Sequence, residues 1–147
     1  MVLISQNLIK QYFEVGDGGN NTTAEKGKAL EDLICYLFEK VPGIEIARRN
    51  ALNQFQTEET DVALWNNKPK NGFHFLPYQI LVECKNWSVP IGSNEVSYFV
   101  NRLQNRGLDH GILIAVKGIT GTNTGVTAAH YEVAMALPRG NKDNNNY

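Results

Sequence analysis

Up to residue 41 the apolar positions of this chain recur at helical spacing; from 44 to 85 they alternate or run together as in strands. Leu8, Ile9, Tyr12 and Phe13 share one face of a predicted helix over 5–14, with Gly16 as its stop. The second helix is the best specified. Thr22 and Glu25 form a capping box ahead of Leu30, Leu33, Ile34, Leu37, Phe38 and Val41, a continuous core stripe, and "VPG" ends it. Strands are predicted at 44–49, 60–66, 73–76 and 78–85, with the polar "NNKPKNG" as a hairpin tip. Asn94 is placed to cap a helix over 95–106 that turns Val96, Phe99, Val100 and Leu103 inward. "HGILIAVKG" forms a further strand, and a helix is expected at about 127–137. Hairpin-linked strands followed by a helical crossover predict an α/β fold, a central mixed sheet flanked by helices.

At 147 residues the chain suits one domain, expected over 1–140, with the asparagine-rich 141–147 as a disordered tail. With 42% apolar and 20% charged residues the composition is that of a soluble globular protein. No 18-residue apolar run suggests a membrane span, and the start lacks a signal peptide's basic region and cleavage site. Cys35 and Cys84, both placed in the core, point to a reducing, cytoplasmic setting. The net charge of −1 does not announce a nucleic-acid binder, although residues 61–147 hold 8 basic and 6 acidic side chains against 6 and 9 before them.

Candidate chemistry gathers at the end of "ILVECKNW". Ile80, Val82 and Cys84 share one face of that strand and Leu81, Glu83 and Lys85 the other, so Glu83 and Lys85 emerge together where the sheet stops being buried. Asp61 lies on the face of its strand that holds Ala63 and Trp65, and hairpin pairing lets it converge with Glu83. At about 100° per residue, Glu31 falls on the border of the helical core stripe and can lean over the sheet, whereas Asp32 faces solvent. Three carboxylates and one amine sum to −2, which a partly desolvated site tolerates only with protons or a cation. Oxygen ligands of this kind suit Mg²⁺ or Mn²⁺ rather than zinc. Such an ion beside a lysine suits phosphodiester hydrolysis.

"TDVALWN" followed by "ILVECKNW", after a helix bearing "ALEDLICYLFEK", resembles the restriction-endonuclease-like PD-(D/E)xK nuclease superfamily, most closely its Mrr-like restriction endonuclease group. The resemblance covers residues 22–117 and implies an αβββαβ core and a metal-dependent endonuclease acting on DNA. By position, Glu31 matches the helix acid, Asp61 the metal-binding aspartate, and Glu83 and Lys85 the (D/E)xK pair. The resemblance also implies the backbone carbonyl of Cys84 as a metal ligand and Glu31 as support for a second metal or an outer shell. The chain departs from the family in having Thr60 where a proline precedes the aspartate, and Glu83 where many Mrr-like members have glutamine. The final strand that often follows the last helix is missing, as in a fragment or shortened domain.

The remaining candidates are weaker. Gln104 lies on the core border of its helix, where polar packing competes with a part in positioning substrate or water. Arg102 and Arg106 are ordinary solvated helix charges or phosphate contacts. "GITGTNTG" lacks a Gly-Lys-Ser/Thr ending and is not a P-loop, and His74, His110 and His130 have no metal-ligand spacing. Near-neutral charge disfavours tight autonomous DNA binding, so a homodimer or a companion targeting subunit is expected to supply affinity. The rival function is a non-catalytic nucleic-acid-binding or assembly module retaining the same fold.

Overall fold

Thr22 starts the longest helix through two reciprocal bonds. Its Oγ1 accepts the Glu25 N–H at 3.2 Å, and Glu25 Oε2 accepts the Thr22 N–H at 2.7 Å. The helix so capped, α2 (Thr23–Phe38), follows α1 (Gln6–Asp17) in a computed structural model that describes residues 3–52 and 59–120. Thr22→Ala is expected to lower stability by about 1 kcal/mol, since loss of the cap leaves a helix donor unsatisfied. A thermal melt checks this, and an unchanged midpoint counts against it.

Four strands follow: β1 (Ile44–Leu52), β2 (Glu59–Asn66), β3 (Gln79–Lys85) and, after α3 (Ser93–Asn105), β4 (Gly111–Ala115). They form one mixed sheet in the order β1-β2-β3-β4. β1 and β3 run antiparallel to β2, while β3 and β4 run parallel, joined through α3. This is the α/β arrangement and the αβββαβ order anticipated from the chain.

Alternation along the strands sends side chains to two cores. Val62, Leu64, Ile80, Val82 and Cys84 pack with Ile34 and Cys35 of α2. Ala63 and Leu81 pack on the opposite face with Phe99 and Leu103 of α3. Each large aliphatic side chain among these contributes about 1.5–3 kcal/mol relative to exposure. α3 lies very close to β4: a Cβ on Gly111 would stand 2.7 Å from Phe99 Cζ and Leu103 Cδ2, so glycine permits the contact.

Three local expectations are corrected. Residues 73–76 are turn rather than strand, because buried Asn66 gathers their backbone. Its Nδ2 donates to the Phe73 carbonyl at 2.8 Å and the Pro77 carbonyl at 3.1 Å, and Leu76 N–H closes on the Phe73 carbonyl. α3 is capped by Gly92, not Asn94; the Glu95 carboxylate accepts the Gly92 N–H at 3.0 Å, leaving Asn94 inside the helix. Asp32 does not face open solvent: its side chain is 20% exposed, held by Lys28 at 2.6 Å and by Arg49. Burial alone would raise the Asp32 carboxyl, but those hydrogen bonds outweigh it and lower the pKa. The expected helix over 127–137, the tail and most of the Gly/Thr loop lie outside the described residues.

Candidate functional site

The C-terminal ends of β3 and β4 lie together, and the N-terminal end of β2 lies beside them. Carboxyl ends of strands in open α/β sheets are where side chains leave the core and ligands bind. Glu83 has not yet left it. Only 4% of it is exposed, because α3 covers this face, and the sheet opens instead at Lys85.

A buried carboxylate requires partners, and Glu83 has two cations. Lys85, two residues on along the same face, brings Nζ to 2.7 Å from Glu83 Oε1. Arg102 reaches down from α3, placing Nη1 2.6 Å from Oε2 and Nη2 3.5 Å from Oε1. Lys85 Nζ also stands 5.8 Å from the centre of the Trp87 ring, within cation–π range.

Asp61 completes the group from β2. Paired residues end at Val62↔Val82, one step before Asp61. Its side chain continues the connection in place of the backbone, with Oδ2 accepting the Cys84 N–H at 2.8 Å. Burial raises the Asp61 carboxyl pKa, and the charge of Glu83 raises it further; the Cys84 N–H, Lys85 and Arg102 act the other way. Asp61, Glu83, Lys85 and Arg102 therefore sum to a formal charge of zero, and with Glu31 to −1, rather than the −2 anticipated, because Arg102 enters as a second cation.

Glu31 lies on α2, over the face occupied by Cys84 rather than the face of Glu83. Its Oε2 is buried, and its charge, after burial and Asp61, helps push the Cys84 thiol pKa far up. The Cys84 side chain is core, as its strand position requires. Gln104, in the last turn of α3, and Arg106, at its C-cap, are exposed, Gln104 away from the border position expected of it. Of the three, Arg102 is ion-paired to Glu83.

Sequence reasoning missed the Arg102–Glu83 pair, although a signal existed. With Val96 at 0°, Arg102 falls at about 240°, some 60° from Phe99, on the stripe's other border. It also missed Asn86, whose Nδ2 donates to the Gly16 carbonyl at 3.1 Å and the Lys26 carbonyl at 3.0 Å, tying the end of β3 to α1 and α2. Just past that end, Thr23, Lys26, Trp87, Ser88 and Lys117 border a cleft of about 610 Å³.

The donors fit a hard divalent ion. Among the described residues no three His, Cys, Asp or Glu side chains form a metal-holding group. An ion here would rest on the Asp61 and Glu83 carboxylates and the Cys84 carbonyl. In an extended strand, a residue's N–H and C=O point to the same side, and the Cys84 N–H points at Asp61. Oxygen donors of this kind suit a hard divalent ion rather than zinc.

Among the described residues no helix is long and apolar enough to cross a membrane. No curated protein and no solved structure matches the chain. A family model described as restriction endonuclease, the Mrr catalytic domain, matches residues 23–136, from the first residue of α2 through every strand of the sheet. With more than half of its length matched and the mixed sheet flanked by helices in place, the chain belongs to the Mrr-like restriction endonuclease family.

Proposed function

We propose that this domain hydrolyses DNA phosphodiester bonds with Mg²⁺ or Mn²⁺ held by Asp61, Glu83 and the Cys84 carbonyl. The observation that carries the reading is Glu83, buried between Lys85 and Arg102 beside an Asp61 whose ionisation the fold disfavours. Such a group opposes folding unless it is used, since a hydrophobic replacement of a buried ion pair is often neutral or stabilising. When bound, the ion supplies positive charge against the scissile phosphate and acidifies an attacking water.

The chain's own residues do the rest. Asp61 and Glu83 hold the oxygens of the site in fixed positions, Asp61 through its bond to the Cys84 N–H. Lys85, at the opening of the sheet, orients or deprotonates the water. Glu31 supports the site from the α2 side, through the outer shell or a second ion. The cleft bordered by Lys26, Trp87 and Lys117 receives the nucleic acid beside Lys85, with phosphate contacts from the two lysines and base stacking on Trp87. Arg106 and Gln104, exposed at the C-terminal end of α3, serve as outlying substrate contacts. A second copy or a companion subunit supplies affinity that a net charge of −1 does not. The buried free thiols of Cys35 and Cys84 suit the cytoplasm as the setting.

The test is incubation of supercoiled plasmid with Mg²⁺ or Mn²⁺, comparing the wild type with Lys85→Ala. Wild type is expected to nick, and the variant to do so about 10²-fold or more slowly. Equal nicking by both removes Lys85 from the chemistry. No nicking by either favours the rival: an idle nuclease fold that binds nucleic acid or organises an assembly, with Arg102 closing Glu83 permanently.

A further inference from the structure

Glu83 already has a cation on each carboxylate oxygen. A divalent ion arriving at that carboxylate would meet two positive charges within a few ångströms, in a place where water screens poorly. One of the resident cations must move. Lys85 shares a strand and a face with Glu83 and is flanked by Trp87, so its position follows from β3 itself.

Arg102 comes from a different element and reaches Glu83 through one hydrogen bond of 2.6 Å and a longer one of 3.5 Å. Its guanidinium cannot yield by losing a proton, as a lysine can, and so must swing away. α3 itself is not the moving part, because Phe99 and Leu103 are wedged against Gly111. The movement belongs to the side chain, which is 17% exposed and rotates about a flexible stem.

We propose that Arg102 is the resident counter-cation of Glu83, which a divalent metal displaces and which then turns to the substrate phosphate. One side chain thereby sets the metal affinity of the site and couples it to DNA: phosphate gives the displaced guanidinium a new bidentate partner, so metal and DNA each favour binding of the other. This rests on the metal-site reading of Asp61 and Glu83, and it makes Arg102 a positioning residue in the metal-free protein.

The experiment measures Mn²⁺ binding without DNA, by the electron paramagnetic resonance of free Mn²⁺, in wild type, Arg102→Gln and Asp61→Asn. Arg102→Gln is expected to bind Mn²⁺ about tenfold more tightly than wild type, because a competitor has gone. Its affinity for a DNA duplex in Ca²⁺ is expected to fall, and metal should no longer improve DNA binding as it does in wild type. Mn²⁺ affinity equal to or weaker than wild type overturns the proposal.

If Arg102→Gln does not fold, the wild type answers alone. Saturating Mg²⁺ should shift the Arg102 Nε–Hε resonance, identified by its loss in Arg102→Lys, and an unmoved resonance overturns the proposal. Failure of the metal site looks different: wild type then binds no Mn²⁺, or binds it unchanged in Asp61→Asn, and both readings fall together.

Discussion

Asp61→Asn is expected to abolish metal-dependent cleavage while leaving the metal-free protein as stable as wild type or more so. The two effects have one cause. Asparagine keeps an oxygen that can accept the Cys84 N–H, so the link between β2 and β3 survives. What disappears is a negative charge that burial and Glu83 both disfavour. A carboxyl whose folded pKa lies above its ordinary value of 3.8 weakens the fold when ionised. The penalty is present at neutral pH, fades as pH falls through the raised folded pKa, and is gone below the ordinary one. The melting advantage of Asp61→Asn should accordingly be largest near neutrality and shrink on acidification. Each kcal/mol is worth about 2–4 °C in a domain approaching this size. Loss of an ion ligand removes several kcal/mol of charge stabilisation, so cleavage should fall on the order of 10³-fold or more. Scanning calorimetry over pH with chelator present, beside plasmid nicking, measures both. A variant that melts well below wild type at pH 7 would show Asp61 to be a stabilising structural acid.

Glu83→Ala should behave in the opposite way towards stability. Glu83 is the shared partner of Lys85 and Arg102, and truncating it leaves two cations against a largely buried face. Breaking a buried pair by removing one partner typically costs about 3–5 kcal/mol. The side chains of Lys85 and Arg102 are 25% and 17% exposed and can turn partly towards water, so a loss of about 2–4 kcal/mol is expected here. Urea denaturation should show a lower midpoint with an unchanged slope. Glu83→Gln, which still accepts hydrogen bonds, should lose less. Both variants should lose cleavage. A midpoint for Glu83→Ala equal to that of wild type would mean the ion pairs are dispensable and that Glu83 does not organise the site.

The two acids of the proposed ligand pair are thus held by different physics. Glu83 is compensated by cations within the fold; Asp61 is left partly uncompensated, with one backbone donor. A fold that keeps an acid in that condition stores a preference for positive charge, and a divalent ion would satisfy it. Relief of that preference is why metal binding and melting temperature should rise together.

Much of this molecule was present in local pattern. Thr22 and Glu25 start α2 because their bonds close within four residues, and the α2 stripe follows from a period of 3.6. Ile80, Val82 and Cys84 against Leu81, Glu83 and Lys85 follow from a period of 2, and the two cores divide along that line. The αβββαβ order and the family were legible for the same reason, since periodicity and order survive without knowing any distance. The (D/E)xK spacing placed Glu83 and Lys85 side by side without reference to any other element.

Tertiary structure decided what depends on partners distant in sequence. Asn66 turned 73–76 away from strand geometry because its carboxamide gathers carbonyls from a loop that extended pairing would have left apart. Arg102 joined Glu83 because the parallel β3–β4 crossover lays α3 on that face, nineteen residues away along the chain. Asp61 met Cys84 because β2–β3 pairing stops at Val62, and Glu31 went to the thiol side because α2 covers the opposite face. Periodicity tells each side chain which way to face. Which charge waits for it there depends on how the elements fold back on one another, and in this domain that determined the balance of the site.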